Sequence, residues 1–234
     1  MKRFLILIVA SSLTLAATNS CKKKGCTDET AVNYNEKAKK DDGSCLYTPI
    51  ISIIGSNDTI VSVGNTYTDL GATAINKDGS TAEVTVENLV DSSTVGQYQV
   101  IYTATNENGT STAIRTVNVN VTQDNWTVTW DVTSNCGTGF PLSATPTVNA
   151  GSDESTLIID NMFNLAGGTA TANIDGASIA IPLQTINITV GDIIFSGQGT
   201  INNQGTIITI SYTYENTTPL IGGSGTCVAT YVKQ

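Results

Sequence analysis

Val95-Gly96-Gln97-Tyr98-Gln99-Val100-Ile101-Tyr102-Thr103-Ala104-Thr105 sets the structural class of this chain. Successive side chains of a strand point to opposite faces, so Tyr98, Val100 and Tyr102 share one face and Gln97, Gln99 and Ile101 the other. That is the alternation of a half-buried strand, and its tyrosines read as core rather than as a ligand platform. Similar short runs stand on either side, at 50–54, 59–63, 83–88 and 112–121. Gly55, Gly64, Gly71, Gly79, Gly96 and Gly109 punctuate them as turns or bulges. Residues 48–122 therefore predict a small β-sandwich of about seven strands.

The whole composition agrees. Charged residues make up 13% of the 234, about half the ~25% usual in globular domains, while Thr, Asn, Ser, Ile and Val dominate. Such a mixture predicts an all-β protein. There is no histidine, which removes the commonest general base and the commonest transition-metal ligand. The formal net charge is −9, and eight of the eleven basic residues lie in the first 40 positions. Beyond them only Lys77, Arg115 and Lys233 are basic, so no nucleic-acid partner is expected.

Residues 123–234 read as a second β domain, with strands at 126–132, 155–161, 169–174, 178–182, 184–189, 193–201, 206–214 and 225–232. Eight strands in sequential hairpins predict an antiparallel up-and-down barrel or sandwich. On its strands Trp126, Val128 and Trp130 share a face, as do Ile208, Ile210, Tyr212 and Tyr214. Facing out, Trp126, Trp130, Tyr212 and Tyr214 would form a stacking surface for a sugar.

Five cysteines stand at 21, 26, 45, 136 and 227. An odd count in an exported chain leaves one to be explained; the last four allow three pairings, of which proximity favours Cys26 with Cys45 and Cys136 with Cys227. The second bond would bring the ends of the C-terminal sheet together. It would close a loop of about 90 residues, contributing about 4.7 kcal/mol in the chain-entropy model. Its loss is expected to lower the midpoint of the C-terminal domain and leave that of the first β domain unchanged.

At the N-terminus Lys2-Arg3 precedes an apolar stretch of 14 residues from Phe4 to Ala17, too short for a membrane span and right for a secretory signal. With Leu15 upstream and Ser20 directly before Cys21, it resembles a bacterial lipoprotein signal. That resemblance implies acylation of Cys21, palmitate included, and anchoring of the exported chain in the outer membrane, on the periplasmic face or the cell surface. Lys22-Lys23-Lys24 suits an anionic bilayer and stands where surface-exported relatives are acidic, which leans toward the periplasmic face. The layout is a signal at 1–20, a lipidated tether and disulfide module at 21–47, and β domains at 48–122 and 123–234.

Within 25–47, Cys26-Thr27-Asp28, Asn33-Tyr34-Asn35 and Asp41-Asp42-Gly43-Ser44-Cys45 resemble a cysteine-bounded module of exported Bacteroidota-type proteins. Closing its loop of about 20 residues would contribute roughly 3 kcal/mol. Asp28, Asp41 and Asp42 are weak candidate ligands for a structural calcium ion, though Asp-Asp-Gly-Ser is also an ordinary turn signal. No other cofactor is expected.

The runs Val61-Ser62-Val63-Gly64, Val95 to Thr105 and Arg115-Thr116-Val117-Asn118-Val119 resemble the bacterial immunoglobulin-like domain of the Cry22Aa-type pesticidal crystal protein. Relatives of that kind act as spacers or adhesive modules. Ile179-Ala180-Ile181-Pro182 and Gly197-Gln198-Gly199-Thr200-Ile201 resemble the lipocalin-like C-terminal domain of Bacteroidota lipoproteins.

No catalytic constellation stands out. Asp131, Asp153, Glu154, Asp160, Asp175, Asp192 and Glu215 lie in no recognised glycosidase context, and Gly167-Gly168 and Gly222-Gly223 open no phosphate-binding helix. The expectation is a non-catalytic envelope lipoprotein making protein or glycan contacts, with the immunoglobulin-like domain as spacer. The alternative places a small ligand or sugar inside the C-terminal barrel.

Overall fold

A computed structural model describes residues 22–136, 142–163, 167–189, 191–218 and 222–234. The expected signal segment and lipidation site, in 1–21, lie outside these residues. The chain is all-β, with fifteen strands and one short helix among the described residues.

The first β domain holds β1 (Ile50–Ile53), β2 (Asp58–Ser62), β3 (Ala72–Ile75), β4 (Thr81–Ala82), β5 (Val84–Asn88), β6 (Gly96–Asn106) and β7 (Gly109–Asn120). They form two sheets, ordered β1-β3-β4 and β2-β7-β6-β5. At the centre is the β6–β7 hairpin, paired from Gly96↔Val119 to Asn106↔Gly109. Alternation works as expected: Val100, Tyr102, Val117 and Val119 are fully buried, while Gln97 and Gln99 face solvent.

Residues 22–47 form a small module closed by the Cys26–Cys45 disulfide across 19 positions. Its own core is only Cys26, Ala31 and Ala38, so the cross-link is what such a segment needs. It docks on the sandwich where the Asn106 and Asn108 side-chain amides donate to the Tyr47 carbonyl at 3.0 and 3.2 Å.

Next come α1 (Gln123–Trp126), β8 (Trp130–Ser134), β9 (Thr147–Ala150), β10 (Thr156–Asp160), β11 (Ala170–Asp175), β12 (Ser178–Ile188), β13 (Gly191–Ile201), β14 (Ile207–Asn216) and β15 (Gly223–Lys233). The eight strands make one antiparallel sheet ordered β8-β15-β14-β13-β12-β11-β10-β9. First and last strands pair, and the Cys136–Cys227 bond ties the end of β8 to β15.

Three details differ from the sequence expectation. Trp126 ends a helical turn instead of opening a strand, because the Asn125 side chain accepts from the Thr122 N–H at 2.9 Å and closes that turn. The runs 178–182 and 184–189 are one strand, β12, with a bulge between Ile181 and Gln184. The barrel is a half-barrel, open between β8 and β9: Pro146, with no N–H to give, stands just before β9, and among the described residues Val132 N–H donates to the Ala144 carbonyl across the gap at 2.9 Å.

The close approach of β13 to β14 needs a glycine at Gly199, on the inward face of β13. A Cβ there would run into the Thr209 carbonyl and come 2.8 Å from Ile210 Cα on β14. Inside the curl, Trp126, Trp130, Leu157, Phe163 and Phe195 are packed and fully buried. This core is continuous with that of the sandwich through Val63, Val121 and Trp126. Asn125 spans the joint, donating to the Val63 carbonyl at 2.7 Å, and Val95 N–H donates to Asn203 in the β13–β14 turn at 3.0 Å.

Candidate binding surface

The aromatic candidates lie inside. Trp126, Trp130 and Tyr212 are 1%, 0% and 2% exposed, so the stacking surface expected from them does not form. Trp130 Nε1 donates to the Trp126 carbonyl at 2.9 Å, Tyr212 bonds Ser134 through its hydroxyl at 2.7 Å, and Tyr212 stacks on Phe195 at 5.2 Å. Tyr214, half-buried, is on the same inward face. The reason is parity: every second residue of β14 faces the core, and the inward set is Ile208, Ile210, Tyr212 and Tyr214.

Among the described residues the interior is closely packed. Its cavity, lined by Trp126, Trp130, Ile179, Ile208 and Tyr231 among others, measures about 20 Å³, about the space of one water. That cavity is too small for the small ligand or sugar expected inside the C-terminal barrel.

Five of the twenty carboxylates serve turns of one kind. Asp28, Asp42, Asp78, Asp91 and Asp153 each accept from the N–H and hydroxyl of the Ser or Thr two residues on. Those side-chain hydrogen bonds hold all five below the ordinary carboxylate range, and Asp28, which also receives the Tyr47 hydroxyl, falls to about 2. Among the described residues no three acidic or cysteine side chains come together as a metal group. Asp28 is turned to Thr30 and Tyr47, Asp41 to Gly43 and Asp42 to Ser44, which is not the convergent cage that calcium requires.

Sequence reasoning missed Arg115. It is 2% exposed, inside the sandwich, and its guanidinium pairs with Asp69 at 2.5 Å while donating to the Ile54 carbonyl. The same Asp69 oxygen accepts the hydroxyls of Tyr102 at 2.7 Å and Tyr67 at 3.0 Å, and Gly71 N–H serves the other oxygen. Burial alone would raise the Asp69 carboxyl; the two hydroxyls and the Arg115 charge outweigh it and hold the group below its usual value. The cluster joins β6 and β7 to the opposite sheet, which is a structural clamp rather than a reactive centre. A lone cation at an inward position of β7, in phase with Val117 and Val119, was the available signal.

The open polar site lies on the outer face of the C-terminal sheet. Pairing aligns outward side chains in rows: Asn173, Ala180, Gln198 and Ser211; Asp175, Ser178, Thr200 and Thr209; and Ser196, Thr213 and Thr226. They line a groove in two adjoining parts of about 620 and 480 Å³ that share Ala180, Gln198 and Ser211. Its polar groups are hydroxyls and amides, and Asp175 is its one charged side chain. Beside it Pro182 and Leu183 occupy the β12 bulge. Gln184 fixes that bulge: its amide accepts from Thr171 N–H at 2.9 Å and donates to the Thr171 carbonyl at 2.8 Å, as a strand partner would. Leu183 is thereby held out, 73% exposed.

Residues 51–119 match the family model described as bacterial surface protein, Ig-like domain. No curated protein matches the chain. Among solved structures, the lipoprotein BT2262 from Bacteroides thetaiotaomicron aligns at 15% identity over 80% of this chain and 100% of its own, with a TM-score of 0.28. The CBM51-2 and INT domains of Clostridium perfringens ZmpB align at 16% identity over 77% of this chain and 43% of theirs, with a TM-score of 0.24. Over residues 51–119, then, the chain is similar to the Ig-like domains of bacterial surface proteins, and that likeness fits an exported envelope protein.

Proposed function

We propose that this chain is a non-catalytic envelope lipoprotein that binds an uncharged glycan across the outer face of its C-terminal sheet. The Ig-like domain and the disulfide module space that face from a membrane reached through lipid on Cys21. The observation that carries the reading is the contrast between the packed interior, with its cavity of about 20 Å³, and the open groove of hydroxyl and amide rows outside it. Such rows exchange hydrogen bonds with a polyol without stranding a charge. Glycoside hydrolysis would need a pair of carboxylates, and Asp175, at the end of β11 opposite Ser178, is the one carboxylate among the groove's described lining residues.

A second reading, contact with an envelope protein, is favoured by Leu183 alone, since a rigidly presented apolar side chain beside a polar groove is the anchor that a protein partner uses. One experiment separates the two. The full chain is applied to an array of neutral bacterial polysaccharides, alongside Ser211→Arg in the groove and Leu183→Asp on the bulge. Glycan capture lost in S211R and kept in L183D supports the glycan reading. Capture of an envelope protein lost only in L183D supports the second, and binding untouched by both substitutions refutes this surface.

A further inference from the structure

Two lysine runs far apart in the sequence meet in the disulfide module. Lys24 and Lys40 form a parallel bridge, Lys39 N–H donates to the Lys23 carbonyl at 2.7 Å, and Gly25 N–H donates to the Lys40 carbonyl at 3.2 Å. The result is a two-strand ribbon with Lys24 and Lys40 on one face and Lys23 and Lys39 on the other. The Cys26–Cys45 bond and buried Ala38 hold it in place. Lys22 and Lys37 adjoin it, all six lysines are exposed, and among the described residues none is in an ion pair.

The charge of the chain is polarised around this ribbon. Residues 22–40 carry six lysines against Asp28, Glu29 and Glu36, whereas residues 48–234 carry three basic groups against fifteen carboxylates. Asp41 and Asp42 flank the ribbon, with Asp42 turned onto Ser44. The cationic end also lies directly after Cys21.

We infer that the lysine ribbon is a docking foot for an anionic lipid surface: Lys24 and Lys40, side by side on one face, sit on acidic headgroups while the acidic body is repelled from them. This rests on the anchored reading above and adds to it a lipid class and one lysine, Lys40, that no tether argument includes. A flexible tether would place only Lys22, Lys23 and Lys24 at the surface; the ribbon geometry brings the second run down with the first.

The test uses the full chain floated with vesicles of phosphatidylcholine alone or mixed with phosphatidylglycerol, then briefly acetylated and mapped lysine by lysine. Lys40 is expected to react about five-fold more slowly on the anionic vesicles, with Lys39 and Lys233 less affected. The difference should vanish at about 1 M salt, where the screening length falls to about 3 Å. Lys40→Gln should also weaken protection of Lys24, its neighbour on the same face. Equal labelling on both vesicle types, with the chain floating on each, overturns the docking and leaves the anchor standing. Protection confined to Lys22, Lys23 and Lys24 assigns the effect to the tether and overturns the ribbon. Failure to float on either vesicle overturns both readings, and protection that appears only with an added envelope protein overturns the lipid in favour of that partner.

Discussion

The two β domains hold their cores by opposite means. In the Ig-like sandwich the core side chains are mostly small, Val100, Ala104, Val117 and Val119, and the sheets are clamped by the buried Arg115–Asp69 pair under two tyrosine hydroxyls. In the C-terminal half-barrel the core is Trp126, Trp130, Phe163, Phe195 and Tyr212; no charged side chain is buried there among the described residues, and a disulfide joins its first and last strands. A large apolar core loses stability in proportion to what is trimmed from it. An ion pair fails abruptly, since removing one partner leaves the other charge buried without compensation. One domain thus depends on a few polar atoms in register, the other on bulk and a cross-link, although a single continuous core runs through both.

The largest effect should follow from opening the cross-link. Replacing Cys136 and Cys227 with Ser releases a loop of 91 positions, for which the chain-entropy model gives about 4.7 kcal/mol. Considered alone, the sequence predicts that only the C-terminal domain would feel it. With Val63, Val121 and Trp126 in one cluster and Asn125 bonded across the joint, the expected outcome is a single transition in which both halves lose midpoint together. Tryptophan fluorescence reports the C-terminal half, and amide exchange at Val100 and Tyr102 reports the sandwich. A shift seen by the first and not by the second would restore the picture of independent domains.

Next in size is the clamp. Asp69→Asn leaves Arg115 charged, 2% exposed and without its counter-ion, and should cost about 3–5 kcal/mol in denaturant titration. Asp69→Leu combined with Arg115→Met should recover most of that loss; if it does not, the clamp matters for more than charge. The pH dependence carries a sign. Asp69 is held below its ordinary value of 3.8, so its contribution is complete above that value and is lost as pH falls through the depressed native one. The Asn variant should therefore show a flatter acid limb below about pH 4 than the wild type. Identical acid limbs would mean that the pair stabilises nothing.

The same contrast explains what was legible in the sequence. Period-2 alternation in β6 and the Asp-Asp-Gly-Ser turn at 41–44 are local, and each was readable because a strand or turn states its chemistry within a few residues; the disulfides were readable for another reason, since four cysteines allow only three pairings. The sandwich clamp was not, because Asp69 and Arg115 are 46 positions apart and nothing near either names the other. Trp126 was misplaced because a helical turn of four residues has no periodicity to detect. Outward stacking failed for a related reason: alternation says that residues share a face, not which face is covered. The bulge at Pro182 and Leu183, and with it the groove beside it, depends on Gln184 reaching the backbone of Thr171 on another strand, a pairing that is only set by the folded sheet.

The smallest effect tests the joint between the two domains. In the β13–β14 turn Gly205 has φ +66°, and a Cβ there would lie 2.9 Å from Val63 Cγ1 of the sandwich and 3.1 Å from the Asn125 side chain. Asn202 braces the turn by accepting from Thr206 N–H at 2.8 Å and Ile207 N–H at 3.0 Å, so the turn cannot easily swing away from the added methyl. Gly205→Ala should cost about 1–2 kcal/mol from the left-handed backbone alone. Its informative readout is the shape of the melt. If the shared core at Val63 and Asn125 is what couples the domains, wedging them apart should split one transition into two, with the disulfide-clamped half-barrel melting last. A melt that stays single while its midpoint drops would instead trace the coupling to the continuous strand-to-helix passage from β7 through α1, which this substitution does not touch.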